Sequence, residues 1–539
     1  MKTKRFIQPS NSMTVSEALD LFPTCHNAKV QILRPFAVFS ARSYSTPVTV
    51  PIGPAYLAGI LEKAGYEVEI VDGIGEGIQQ INRSTKGTYI FQGLTVNEIL
   101  KRIDPNSSVL CISLMFSQEW FHHRELINTI KEEYPDLTII VGGEHPSAMP
   151  EYVLNDCPSI DYLIAGEGEL TLLEFLHRYL TKGNLSEIPG VFSKSKTGQF
   201  LDNGPSRRIS DFSNLPRPAW HLCDLEKFFS GLWSMGIGYG RNILILASRG
   251  CPYQCTFCSS PTMWTTRYLL RPVVDVVDEI EFLIEKYQVN SIDFADLTAI
   301  IKKDWILEFS NEIKRRNLDF VWQLPSGTRS EALDKDTLKA IYDSGCKYLV
   351  YAPESGSEVT LDKIKKQLSL SNLISSIKEA VKIGHTVKVN CIIGFPHENR
   401  RDLLKTIFFN IRVALLGVDD CNISIFSPYP GSELFDELQE NGTISKIDDE
   451  YFKNLIVQFD FTFPQSVCPN ISNLEISVYR LIGMSLFYVL SYAIRPIRLW
   501  RLIKNIFGEG FQASSLFEQR IHDFFVRKSL IQTPDFKKL

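Results

Sequence analysis

The sequence predicts an α/β protein: two successive units built on largely parallel sheets, then a helical tail. Three observations carry this. Short apolar runs alternate with helix-patterned stretches over residues 28–180 and again over 241–440, as βα units do. Nearly every run ends in glycine or polar residues, where a parallel sheet lets a ligand approach the backbone. After residue 441 the apolar spacing becomes helical. A chain of 539 residues has room for several domains, here 28–180, a linker over 181–240, 241–440 and 441–539.

In the first unit, 30–33 reads as a strand and 51–64 as a helix whose C-cap is Gly65. Strands follow at 66–72, 108–114, 137–141 and 161–165, with a helix over 119–134 that Pro135 follows. The fourth strand ends in Gly142-Gly143-Glu144-His145-Pro146 and the fifth in Gly166-Glu167-Gly168-Glu169. No G-x-G-x-x-G follows the first strand, which counts against a dinucleotide. His122 and His123 are expected to be surface or loop residues. The linker contains a hairpin around Thr197-Gly198 and a stiff Leu215-Pro216-Arg217-Pro218-Ala219-Trp220 bridge.

In the second unit, strand-like runs begin with 242–247, and 271–287 is an amphipathic helix. Later runs lead to Asp296, to Thr328-Arg329, to Glu354-Ser355-Gly356-Ser357, to Gly394-Phe395-Pro396 and to Pro428-Tyr429-Pro430-Gly431. Parallel βα barrels place their chemistry at this carboxyl-end face.

Directly after the run 242–247 stands Cys251-Pro252-Tyr253-Gln254-Cys255-Thr256-Phe257-Cys258, a C-x-x-x-C-x-x-C loop. Three thiolates on one short loop suit three irons of a cubane cluster and leave the fourth iron open for chemistry. A structural zinc site would want four closed ligands, typically two separated pairs, and Cys223 and Cys346 stand alone. Unrelated buried cysteines are the third reading. Three within eight residues, beside Gly and Pro, favour the open cluster.

This spacing, with Phe257 before the last cysteine, resembles the radical S-adenosylmethionine (radical SAM) superfamily. The resemblance implies a partial (β/α)6 barrel, a [4Fe–4S] cluster on Cys251, Cys255 and Cys258, and SAM on the open iron. It places SAM beside Phe257, Asp296, Arg329, Glu354, Ser355, Gly394 and Pro396, with Arg329 suited to the SAM carboxylate. The strand ends of the first unit, with Pro51-Ile52-Gly53, resemble the Rossmann-like (flavodoxin-like) cobalamin-binding domain upstream of one large radical SAM subgroup. That implies cobalamin held at Gly53, Gly142, Gly143, Glu144, His145, Gly166 and Glu167. No D-x-H-x-x-G motif occurs, so the cobalt is expected to lack a protein histidine, with His145 serving as a backbone element near the corrin.

Within that subgroup the chain resembles methylases of unactivated carbons or phosphinates, and also the anaerobic magnesium-protoporphyrin oxidative cyclase. The expected partners are a small-molecule substrate, lipophilic in one version, and a flavodoxin- or ferredoxin-type electron donor. Methylthio transfer would need further cluster cysteines, and Cys25, Cys111 and Cys157 lack those surroundings. A cobalamin or redox sensor would need a signalling module, and none is legible in the sequence.

The net charge of −5 makes nucleic acid a disfavoured partner. Eleven cysteines without a paired framework point to a reducing cytoplasm. Neither a secretory signal nor a transmembrane helix is expected. Residues 479–507 are strongly apolar and end with Arg495, Arg498, Arg501 and Lys504. They are expected chiefly to cover the open side of the barrel, with contact to a membrane surface as the alternative.

Overall fold

The computed structural model describes residues 7–24, 28–43, 48–84, 87–230, 234–298, 301–456, 466–507 and 513–532. In the first unit, β1 (Lys29–Arg34) lies between β2 (Glu67–Asp72) and β3 (Val109–Ser113), followed outward by β4 (Ile139–Gly142) and β5 (Tyr162–Ile164). All five are parallel, and their order 2-1-3-4-5 is the flavodoxin-like one, with its switch point between β1 and β3. The strands are short apolar runs such as Val-Leu-Cys-Ile, buried on both faces, as parallel strands under helices must be. The linker hairpin, β6 (Val191–Lys194) and β7 (Phe200–Asp202), continues this sheet antiparallel to β5, making seven strands. Pairing there covers the edge of β5, which would otherwise be open. A four-stranded sheet of Ala37–Ser40, Ile81–Arg83, Tyr89–Gln92 and Ile531–Gln532 was not legible in the sequence.

The second unit is an open six-stranded parallel sheet in sequential order: β8 (Asn242–Ile245), β9 (Ser291–Phe294), β10 (Val321–Thr328), β11 (Cys346–Glu354), β12 (Thr386–Ile393) and β13 (Asp420–Ile425). Helices pack outside it. In Val273–Tyr287 the buried side chains Val273, Val276, Val277, Ile280 and Leu283 recur at helical spacing, and the helix stops at Gln288 with φ +55°. One apolar cluster includes Leu110 and Ile112 of β3 together with Phe395, Phe426 and Phe452, so the two units share a core.

The edge strand β13 is covered by α2 (Asn473–Ile494), which also packs along α1 (Arg400–Leu416). A capping box of Ser472 and Glu475 starts α2. A Cβ on Gly483 would stand 2.6 Å from Ile423 Cδ1, so glycine there lets α2 lie against β13 without displacing that side chain. The 22 residues of α2 are long and apolar enough to cross a membrane by length and composition, although one side of the helix lies on the barrel. Pro496, which cannot continue a helix, separates α2 from α3 (Pro496–Phe507). Arg498 departs from the basic surface set: it is buried and donates to the carbonyls of Val418 and Gly417 and to Asp419. The last helix, α4 (Leu516–Leu530), packs Leu516 on Ile237, Tyr348 and Val350.

Candidate active site between the two units

The cysteine loop follows β8. Gly250 has φ +82°, and a Cβ there would stand 2.2 Å from the Arg267 carbonyl, so the turn that launches Cys251 admits only glycine. The Cys258 amide donates to the Cys255 carbonyl and closes the far turn. Cys251 Sγ lies 3.4 Å from Thr298 Oγ1, Cys258 Sγ 3.2 Å from Ser260 Oγ, and Cys255 Sγ 3.9 Å from the Lys365 carbonyl. All three are partly exposed, whereas Cys346, Cys391, Cys421 and Cys468 are buried. Burial pushes the Cys255 thiol up and the Cys258 thiol up to about 11, so loading a metal there must displace protons.

No group of three His, Cys, Asp or Glu that would hold a single metal ion occurs among the described residues. In a cubane each thiolate takes its own iron, so its three sulfurs need not converge on one point. The donor set and its cationic neighbours fit such a cluster. Lys366 is partly exposed, pairs with Glu354 Oε1 at 2.8 Å, and stands 5.9 Å from the Phe257 ring centroid. Arg329 lies 3.9 Å over the Tyr253 ring and donates to the carbonyls of Lys366 and Gln367. Its Nε is buried without a hydrogen-bond partner beside this loop, an open donor facing where a carboxylate is expected. Lys366 and Tyr253 were not singled out in the sequence, because a lysine or tyrosine in a loop carries no spacing signal.

The other expected SAM contacts have definite partners. Asp296 is buried, accepts from the Ala247 amide at 3.1 Å and from the Ser248 hydroxyl, and is pushed up to about 6 by burial. It joins the end of β9 to the start of the cysteine loop. Ser355 shares a hydrogen bond with Thr406 Oγ1 and accepts from the Ser357 amide, so it braces the turn after β11. Glu354 opens that turn at φ +69°. The amides of Gly394 and Phe395 donate to Glu398, whose carboxyl burial pushes up to about 7. Glu398 went unnoticed although it lies four residues after Gly394, the one local signal for a turn-closing carboxylate. Pro396 is partly exposed, and Phe395 packs on Phe257 with ring centroids 5.7 Å apart.

The strand ends of the first unit face this loop. Gly143 has φ +114°, and a Cβ there would meet the Leu114 carbonyl at 2.4 Å, so the turn packs against the backbone just past β3 and admits only glycine. Ser259, next to Cys258, donates to Glu144, whose carboxyl burial raises. The Gly166 amide donates to Ser147 Oγ. A Cβ on Gly53 would meet nothing within 4 Å, so the start of Ile52–Lys63 borders open space.

His145 is buried between Trp120 and Phe452, with Nδ1 2.9 Å from Ser117 Oγ and Nε2 without a partner. Burial pulls its pKa down to about 3. His123 is likewise buried, pulled down to about 4, and His122 contacts Phe91 and Phe121, so both belong to an aromatic cluster and the surface expectation for them is corrected. Glu167, expected beside the corrin, has its carboxylate engaged elsewhere: with Arg249 at 3.2 Å, with Arg208 at 3.4 Å, and with the Ile209 amide. Glu169 takes Arg249 at 2.6 Å. Burial alone would lower the pKa of Arg249, and the charges of Glu169 and Glu167 more than reverse it. Cys111 and Cys157 sit in two different apolar clusters, and Cys25 lies outside the described residues.

The cysteine loop at the carboxyl end of the open parallel sheet is thus set against the glycine turns of the flavodoxin-like unit. The radical SAM superfamily profile matches residues 245–409, and the B12 binding domain profile matches 43–176. An uncharacterised methyltransferase of Pyrococcus horikoshii is 28% identical over 388 residues, covering 72% of this chain and 78% of that protein. Cytidylyl-2-hydroxyethylphosphonate methyltransferase of Streptomyces wedmorensis is 28% identical over 458 residues, covering 78% and 84%. The anaerobic magnesium-protoporphyrin IX monomethyl ester cyclase of Rubrivivax gelatinosus is 24% identical over 418 residues, covering 76% and 70%. Among solved structures, the radical SAM methyltransferase TsrM of Kitasatospora setae, with cobalamin and [4Fe–4S] cluster bound, shares the fold at TM-score 0.64 and 16% identity, covering 93% of this chain and 99% of that one. The chain is a radical SAM enzyme that carries an N-terminal B12-binding domain.

Proposed function

We propose that the protein is a cobalamin-dependent radical SAM methyltransferase acting on an unactivated carbon or a phosphinate of a small molecule. One observation carries this: the cysteine loop is tied to the B12-domain strand ends on both sides, by Arg249 on Glu167 and Glu169 before Cys251, and by Ser259 on Glu144 after Cys258. A radical generated at the loop and a methyl carrier on the facing domain are thereby held across one shared space.

When bound, the cluster supplies the electron that cleaves SAM to a 5′-deoxyadenosyl radical, and cobalamin supplies the methyl carrier. The chain's own residues do the rest. Cys251, Cys255 and Cys258 hold three irons. Lys366 and Arg329 place positive charge beside the loop, where thiolates and a carboxylate need it, and Glu354 orients Lys366. Phe257 and Phe395 present an apolar wall that keeps water from a reactive radical. Gly53, Gly142, Gly143, Glu144 and Gly166 border the corrin side, with His145 in the core and not on the cobalt. An external flavodoxin- or ferredoxin-type donor supplies electrons in a reducing cytoplasm. A lipophilic substrate and membrane contact of the tail go together, and the exposed apolar tail supports both.

The test is anaerobic reconstitution with iron, sulfide and hydroxocobalamin, followed by incubation with SAM and a one-electron reductant. Methylation yields both 5′-deoxyadenosine and S-adenosylhomocysteine. Formation of 5′-deoxyadenosine without S-adenosylhomocysteine would favour oxidative cyclisation, as in the cyclase relative. Failure to retain a corrin, or a cobalt spectrum showing histidine ligation, overturns the assignment of the first domain.

A further inference from the structure

The outward side of α1, α2 and α3 has a composition that water does not favour. The solvent side of α2 carries one charge, Glu475 at its first turn, which is paired with Arg400 of α1. Its outer face carries Leu474, Val478, Leu481 at 60% exposure and Val489 at 64%. Beside it α1 exposes Leu404, Phe408 and Leu415, and α3 exposes Ile497, Trp500 and Ile503. α1 and α2 are pinned side by side at both ends: Arg400 of α1 pairs with Glu475 near the start of α2, and Arg495 packs on Gly417 just past their other ends. So many exposed large apolar side chains on neighbouring helices exceed what a soluble monomer ordinarily leaves in water.

Charge selects the occupant. Apart from Glu475, which is paired with Arg400, the solvent-facing charges of these helices among the described residues are basic: Arg401, Lys405, Arg412, Arg501 and Lys504. They gather here in a chain whose net charge is −5. Trp500 stands next to Arg501, the aromatic-and-basic combination of a membrane interface. The opposite side of α2 is committed to the barrel through Ile476, Met484 and Phe487, and the buried Arg498 binds Ser491 Oγ, so lipid cannot surround the helix.

We propose that this face lies on an anionic lipid surface, with α2 in the interface plane and not across the bilayer. The proposal stands apart from the chemistry above, because none of these residues belongs to the cofactor site.

The test is flotation of the reconstituted full chain with phosphatidylcholine vesicles, with and without phosphatidylglycerol. The protein is expected to float with the anionic vesicles, less with neutral ones, and to be released by an alkaline carbonate wash. Arg501→Gln and Lys504→Gln should each weaken binding to anionic vesicles by about fivefold. Leu481→Gln and Val489→Gln should each weaken it by about tenfold on both vesicle types, with corrin retention and thermal melting unchanged. Absence of flotation on either vesicle overturns the proposal, as does flotation that these variants leave unaltered. A dimer that Leu481→Gln splits, in protein that does not float, assigns the face to a second copy instead. Resistance to carbonate overturns the in-plane geometry.

Discussion

Arg249 and Glu169 form a buried ion pair at 2.6 Å across the boundary of the two units, two residues before the first cysteine of the loop. The Arg249 guanidinium also lies 4.5 Å over the Phe212 ring, so it is packed as well as paired. Removing one partner of such a pair strands a charge. Arg249→Met is expected to cost about 3–5 kcal/mol in urea denaturation, and the double variant Arg249→Met/Glu169→Leu to cost less than the single one.

Gly250→Ala is expected to lose bound iron and sulfide while keeping its far-ultraviolet circular dichroism, because its Cβ would collide with the backbone that aims Cys251. Gly198 has a similar φ of +82° but nothing within 4 Å of its would-be Cβ. Gly198→Ala should cost only about 1 kcal/mol and leave the iron content unchanged.

Cys251→Ala, Cys255→Ala and Cys258→Ala should each abolish 5′-deoxyadenosine formation and the visible cluster absorbance. Cys223→Ala and Cys346→Ala should keep both. Cluster loss in the latter pair would mean that a ligand outside the loop takes part.

Lys366→Met removes a largely shielded cation that pairs with Glu354 and stands beside Cys255. SAM binding, read by isothermal titration to the reconstituted protein, should weaken by about tenfold, the worth of one charge-assisted contact. Lys366→Arg should recover part of it. Equal binding by Lys366→Met would confine the lysine to a role in folding.

His145 is neutral in the fold because burial pulls its pKa down to about 3, against an ordinary 6.5. Between these values the unfolded chain binds the extra proton, so stability from this group is present above pH 6.5 and is lost as pH falls toward 3. His145→Gln should flatten the decline of Tm over that window relative to wild type. An unchanged slope would show that the ring is solvated.

Local features were legible because local physics writes them into neighbouring residues. The six barrel strands, the helix Val273–Tyr287 and the cysteine spacing each follow from a few consecutive side chains and their period. The roles of Glu167, Asp296 and Ser355 were not legible as they stand, since each depends on a partner from another element. Arg249 and Glu169 are 80 positions apart, and Arg124 and Asp449, another pair joining the B12 domain to the tail, are 325 apart. No periodicity links such residues. Arg498 shows the same limit from the other side, since its neighbours Arg495 and Arg501 gave no sign that it alone turns inward to the Gly417 and Val418 carbonyls.

The sequence by itself determined the two parallel-sheet units, the three-thiol loop and the glycine turns, because backbone preference and hydrophobic period act over a few residues. Only the tertiary structure decided that the two carboxyl-end faces meet, which carboxylates serve as clamps, and that the apolar tail buries one side and exposes the other. Those outcomes depend on ion pairs, close approaches and packing between distant segments, which exist only once the chain has folded.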